Sequence, residues 1–295
     1  MMSTKSLGAR ISVAVLSAIA LSVAMTGAAS AAAIRMGSFT SNTIPANDDD
    51  SSPLTALGFT ADFFGTTYSN AYVNNNGNIT FNGPLDEFTP FGIAGASTPI
   101  IAAFFADVDT TGAGTSPVTY GTGTVNGRNA FGANYINVGY FDAETDKIND
   151  FQIVLIDRAD TGAGNFDIEF NYDQVQWETG SAASSGGSNG LGGNSARVGY
   201  SNGLIGAANR SFELAGSAVN GAFLDGGPAG TSLIANSLNS GGLLGRYTFN
   251  ARNGAVVNPP TNPSAVPEPS DLIGTALGGL AIVMLKRKLS VAKKG

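Results

Sequence analysis

The chain has 295 residues, 40 of them glycine, with only 13% charged residues and a formal net charge of −7. It contains neither cysteine nor histidine. This excludes disulfides, a thiol nucleophile, histidine acid–base catalysis, a Ser-His-Asp triad and most zinc or copper sites. Abundant glycine, sparse charge and ordinary apolar content (43%) point to an all-β domain rich in turns. A metal here would be a hard cation held by oxygen, and Ca²⁺ is the choice that fits an exported protein.

Residues 1–31 read as a secretory signal peptide. Lys5 and Arg10 precede the apolar run Ile11 to Met25, and Ala29-Ser30-Ala31 supplies small residues for signal peptidase. A buried N-terminal helix is the plainer alternative. Residues 32–53 form a polar leader, expected to have little structure beyond one edge strand. Its Asp48-Asp49-Asp50 run is either a cation site or, as such runs commonly are, simply solvated.

Strand signals begin at Leu54. Tyr72 to Phe81 reads as a hairpin, with Asn76-Gly77 suited to a type I′ turn. Pro84 to Thr98 reads as a loop. Pro99 to Gly114 is the most informative stretch. Ile100 to Ala106 is apolar at consecutive positions, so both faces of this strand should be buried. Asp107 and Asp109 follow, spaced to share one strand face. Thr110, Thr111, Gly112 and Gly114 then turn the chain. Asp107 and Asp109 are therefore candidate Ca²⁺ ligands, against the plainer reading of a polar turn.

Val118 to Thr124 and Ala130 to Tyr140 read as strands joined by a tight turn at Asn126-Gly127. Asp142 to Asp150 reads as a polar connection, and Phe151 to Asp157 as a second buried strand. Phe166, Ile168, Phe170 and Tyr172 alternate with Asn165, Asp167, Glu169 and Asn171. That predicts one core face and one solvated, acidic face. The frame slips before Val175 and Trp177, which calls for a β-bulge near Asp173-Gln174. Ser181 to Ser195 is a Gly/Ser loop. Later strands are expected at Ala196–Tyr200, Phe212–Leu214 and Arg246–Asn250, with a short helix near Thr231 to Leu238.

The pattern thus predicts one antiparallel β-sandwich-like domain, 54–252, with long Gly/Ser/Asn-rich loops. A Pro/Asn-rich linker follows at 253–266. The segment 267–295 holds Pro267-Glu268-Pro269, an apolar run Leu272 to Leu285 and a basic tail. That run has 14 residues, about 21 Å as a helix and short of a ~30 Å hydrocarbon core. It suits a transient inner-membrane anchor. Between Ala32 and Pro269 the chain carries 21 acidic and 8 basic side chains, a net −13. This argues against nucleic acid or an anionic membrane surface as partner.

Two family resemblances follow from these strings. The tail, with Pro267-Glu268-Pro269, a short apolar span and Lys286-Arg287-Lys288, resembles a PEP-CTERM sorting signal; Leu289 to Gly295 extend beyond that pattern. The resemblance implies handling by exosortase in a Gram-negative bacterium that makes extracellular polysaccharide. The body resembles the nidogen-like (NIDO) extracellular domain. It does so through F-F-G-T-T-Y-S-N-A-Y-V-N-N-N-G-N-I-T-F, I-I-A-A-F-F-A-D-V-D-T, N-V-G-Y-F, F-Q-I-V-L-I-D and F-D-I-E-F-N-Y-D-Q-V-Q-W, in order from Leu54 to Glu178. That resemblance implies a non-enzymatic module of the cell surface or matrix, binding a matrix or polysaccharide component, with no catalytic set to transfer. The competing reading is a carbohydrate-binding or carbohydrate-active protein using Asp107 with Asp109, or Asp167 with Glu169, as paired carboxylates. Trp177 is a sugar-stacking candidate or, more simply, core.

Overall fold

The computed structural model describes residues 32–257. In chain order the strands are β1 (Asn42–Thr43), β2 (Thr55–Phe63), β3 (Thr66–Asn74), β4 (Asn78–Thr80), β5 (Ile100–Phe105), β6 (Val108–Asp109) and β7 (Thr119–Val125). They continue with β8 (Arg128–Tyr140), β9 (Glu144–Asp157), β10 (Phe166–Val175), β11 (Arg197–Ser201), β12 (Ser211–Glu213), β13 (Arg246–Arg252) and β14 (Ala255–Val256). One antiparallel sheet runs β1-β7-β8-β9-β10-β13-β14, with β6 also paired to β8. The other runs β12-β11-β5-β4-β3-β2. Their facing sides enclose one core, so the fold is the all-β sandwich that the alternation predicts.

Among the described residues there is no α-helix, and the short helix expected near Thr231 to Leu238 is a series of turns. Small residues there leave too little apolar periodicity to sustain a helical face. The expected polar connection at 142–150 is also corrected. β9 starts at Glu144, because β8 continues past the core and pairs with it as far as Tyr140–Glu144. The Asn126-Gly127 turn forms as expected, with φ of 50° and 77°. At Asn76-Gly77 only the glycine has positive φ (74°), so the turn is not type I′. A Cβ on Gly77 would lie 1.9 Å from Phe104 O, which leaves no room for another residue.

The inner faces meet as the sequence pattern demands. Phe166, Ile168, Phe170 and Tyr172 of β10 are buried against β5 and β13 residues. Tyr135 stacks on Phe151 across β8 and β9, ring centroids 4.5 Å apart. The slip in β10 is a bulge between Tyr172 and Gln174, which returns Val175 and Trp177 to the core.

The outer faces of β5 and of β9 and β10 are covered as well. Ile100, Ala102 and Phe105 of β5 pack under Ile93, Ala96, Leu85 and Phe91 of the preceding loop. This is why β5 reads as a continuous apolar run. On the other sheet, the leader forms a strap across β9 and β10. Arg35 grips Glu169 bidentately, Nε to Oε1 at 2.8 Å and Nη2 to Oε2 at 2.9 Å. The bulged Asp173 accepts Ala33 N at 2.6 Å. Phe39 packs with Val125, Ala130, Val154 and Ile156, over the hollow left by Gly123 and Gly132. The leader is therefore an integral layer, not a loose extension. The outer face of β10, expected to be solvated, is buried: Asp167 is 8% exposed, Glu169 3% and Asn171 0%. Arg158 and Arg252 neutralise Asp167, at 2.8 and 2.5 Å.

Substituting Arg35 with Ala leaves Glu169 buried with only Arg246, 3.5 Å away, as cationic partner. Stability should fall by about 2–3 kcal/mol, less than the ~3–5 kcal/mol of breaking a fully buried ion pair because the Arg35 side chain is 23% exposed. Urea unfolding checks this: the midpoint drops with unchanged slope. A change under ~0.5 kcal/mol would contradict the strap's role.

Candidate functional site

The acidic end of β5 is a corner where the chain leaves one sheet for the other. β5 ends at Phe105, the chain bends at Ala106, and β6 pairs with β8 through Val108–Tyr140 and Asp109–Gly139. The amide of Val108 donates to Asn76 Oδ1 at 2.9 Å, and Phe104 N to Gly77 O at 3.1 Å. The Asn-rich turn after β3 thus holds the corner from inside.

Asp107 lies just before β6 and Asp109 within it, so the two are not in one continuous strand as their spacing predicts, although the charge of Asp109 still acts on Asp107. Asp109 is engaged at both oxygens. Its Oδ1 accepts from Thr111 N and Oγ1 at 2.7 and 2.6 Å, and its Oδ2 from Ala143 N at 2.8 Å. It acts as the turn residue of the plainer reading. Asp107 is 1% exposed. Its Oδ2 accepts only a long bond, 3.3 Å, from Ser185 Oγ, and its Oδ1 has no partner. A Cβ on Gly180 would lie 2.2 Å from Oδ2, so a glycine is needed there for the carboxylate to fit.

The carboxylates that meet Asp107 come from the strap. One carboxylate oxygen from each of Asp48, Asp49 and Asp107 lies within 4.8 Å of the others. Sequence reasoning left the Asp48–Asp50 run as a cation site or, as such runs commonly are, solvated. In the fold only Asp50 is exposed, while Asp48 and Asp49 are half-buried. Long-range hydrogen bonds draw them in. Asn75 Nδ2 donates to Asp48 O at 2.5 Å and Val108 O at 2.6 Å. Asn75 N donates to Asp50 O at 2.9 Å, and Asn76 Nδ2 to Asp49 Oδ1 at 2.8 Å. Thr110 N and Asn47 O pair at 2.9 Å. The available signal was the Asn74-Asn75-Asn76 run, whose amides serve two separate segments at once.

Gathering carboxylates here is electrostatically costly. Burial, and then the charges of Asp48 and Asp49, push Asp107 up to about 7. Burial, and then Asp49, push Asp48 up to about 7 as well. Asp49 is also raised, chiefly by burial, against the lowering effect of the Asn76 amide. The cluster can therefore retain protons near neutrality or take up a hard cation.

The other acidic pair is placed differently. Asp167 and Glu169 are each locked to guanidinium groups under the strap. Trp177 is fully buried, donating Nε1–H to Val138 O at 3.1 Å and edge-on to Phe104. It belongs to the core. A separate open groove is lined by Phe64, Tyr200, Asn202, Leu204, Asn209 and Arg210, with no acidic side chain. Ala29, Ala31, Leu272 to Leu285 and Pro267-Glu268-Pro269 lie outside the described residues.

The raised value at Asp107 carries a sign. Its folded pKa of about 7 exceeds the ordinary ~4, so the metal-free folded state binds more protons over that interval. In chelator, stability contributed by this group is present at low pH and lost as pH rises from about 4 to about 7. Asp107→Asn should flatten that loss in a pH series of thermal melts. Parallel wild-type and variant curves would contradict it.

Comparison with known proteins places these features in a family. A family model described as NIDO related matches residues 26–221, a span containing Asp48, Asp49, Asn75 and Asp107. The chain is 33% identical to alpha-tectorin of Gallus gallus over 183 residues, 55% of this chain and 8% of that protein. It is 31% identical to alpha-tectorin of Mus musculus over 199 residues, 59% of this chain and 9% of that protein. It is 34% identical to nidogen of Drosophila melanogaster over 118 residues, 32% of this chain and 8% of that protein. The chain spans less than a tenth of the length of these relatives. No solved structure matches it. With the family model matched across the strap, the corner and both sheets of the sandwich, the chain belongs to the NIDO-related family.

Proposed function

We propose that this chain is an exported, non-enzymatic binding module that works outside the cell, in adhesion or in a polysaccharide matrix. The observation that carries this reading is the nidogen-like match over residues 26–221. The resemblance to matrix and adhesion modules supplies the role. The acidic balance between Ala32 and Pro269 supports a soluble surface protein repelled by anionic polymers such as nucleic acid. The chemistry of the acidic pairs supports a binding role over a hydrolytic one. Asp167 and Glu169 spend their oxygens on arginines, and Asp109 spends both of its own on a turn.

The tail supplies the route. Signal peptidase would cut after Ala31, and exosortase would act at Pro267-Glu268-Pro269 while Leu272 to Leu285 holds the chain in the inner membrane of a Gram-negative cell. The protein would then reach the cell surface or its biofilm matrix.

Fractionation of producing cells tests the route. The body should be found at the surface or in the extracellular polymer. Replacing Pro267, Glu268 and Pro269 with alanine should leave a longer form in the membrane fraction. A wholly cytoplasmic protein would sink the proposal. A matrix-component and glycan array should then show at least one ligand. Hydrolysis of the native polymer, lost on Asp107→Asn, would replace the binding reading with an enzymatic one.

A further inference from the structure

We propose that Asp48, Asp49 and Asp107 form a Ca²⁺ site that staples the strap to the corner between the sheets. This goes beyond the adhesion reading and does not depend on it. The geometry is the first support: three carboxylates from two separate segments present oxygens within 4.8 Å of one another. Such oxygens converge on a single hard cation and otherwise repel.

A second observation points to a ligand. Among the described residues eight buried side-chain nitrogens or oxygens have no hydrogen-bond partner, and two of them belong to the clustered carboxylates themselves: Asp48 Oδ1 and the oxygen Oδ1 of Asp107, a residue only 1% exposed. Asn75 is not acidic and is fully buried. Its Nδ2 donates to the backbone carbonyls of Asp48 and Val108, at 2.5 and 2.6 Å, on the two segments that carry the cluster, and its Oδ1 accepts nothing. Buried polar atoms are almost always satisfied, because an orphaned one loses its hydration with no bond in return. A local excess of orphans, all acceptors and none donors, is the complement of a cation.

Oxygen-only donors exclude the softer transition metals in favour of Ca²⁺ or Mg²⁺. The irregular donor set favours Ca²⁺, which tolerates variable geometry and takes six to eight oxygens, roughly, including water. Mg²⁺ demands near-ideal octahedra. Water has a route: an open cleft lined by Asp49, Asp50, Ser51, Ser52, Pro84 and Asp86 shares Asp49 with the cluster. The ion would replace the repulsion among the carboxylates with attraction, and so fix residues 47–50 against β6.

The test uses the full chain, stripped with chelator and titrated with CaCl₂ by calorimetry and thermal melting. One Ca²⁺ should bind per chain. At about a hundredfold excess over Kd the melting temperature should rise by roughly 5–10 °C. Asp107→Asn and Asp49→Asn should each weaken Ca²⁺ at least ~tenfold, while the exposed Asp50→Asn keeps wild-type affinity. If Asp107→Asn does not fold, the half-buried Asp49 carries the same comparison. No heat and no melting shift in the wild type would overturn the site. So would undiminished binding in Asp49→Asn, or an equal response to MgCl₂. Surface localisation is unaffected by either result, so failure here is distinct from failure of the adhesion reading.

Discussion

The amides of Asn75 and Asn76 hold this molecule together at its most demanding point. A sandwich needs its chain to pass between sheets, and at that passage the ladder hydrogen bonds of β5 stop before those of β6 begin. Backbone groups at such a bend are buried and must be satisfied by something else. Here two side-chain amides do it, giving and receiving at Val108, Asp48 and Asp49. Gly77 lets the turn that carries them press against Phe104. The same bonds that close the backbone also import the strap, and with it two carboxylates. The acidic cluster is therefore a consequence of how the sheet crossing is built.

The second constraint is coverage. Two stacked sheets bury their inner faces against each other, but β5, β9 and β10 carry apolar or acidic residues on their outer faces too. The loop before β5 and the strap across β9 and β10 provide the missing layers. They do so by different physics. The loop contributes apolar contact. The strap contributes one bidentate arginine–carboxylate pair, Arg35 on Glu169, and a single aromatic wedge, Phe39 over paired glycines. Burying Asp167 and Glu169 is tolerable only because guanidinium groups arrive from three other segments to meet them.

These two constraints separate the chain's three acidic groupings by role. Asp167 and Glu169 are charge-matched and structural. Asp109 accepts hydrogen bonds at both oxygens, from Thr111 and from Ala143. Among the described residues Asp48, Asp49 and Asp107 are the group of three carboxylates close enough to share one cation, and Oδ1 of Asp48 and of Asp107 has no donor. Function in a binding module of the nidogen-like kind belongs to loops and surfaces carried on a rigid frame. A cation at the corner would make part of that frame conditional on the medium outside the cell.

What the sequence determined by itself was most of what depends on local period and turn chemistry, the type of the Asn76-Gly77 turn excepted. Alternation from Phe166 to Tyr172 identified a strand and its core face, the frame slip identified the bulge, and Asn126-Gly127 identified its hairpin. The blocks around Phe64, Phe104 and Phe151 carried the family. Tertiary structure decided what faces those elements. The outer side of β10 reads as solvated because acidic alternation normally is. Only the distant Arg35, Arg158 and Arg252 make it an interior. Asp107 and Asp109 read as partners because spacing of two means one face in a continuous strand, but the strand is interrupted at Ala106 and Asp107, and the two meet different partners. Asp48 and Asp49 read as solvent-facing because a run of like charge is costly to bury. Only amides about 27 residues away in the chain bring them to Asp107. Local pattern fixes which face is apolar; which charge meets which is set by segments that pattern cannot join.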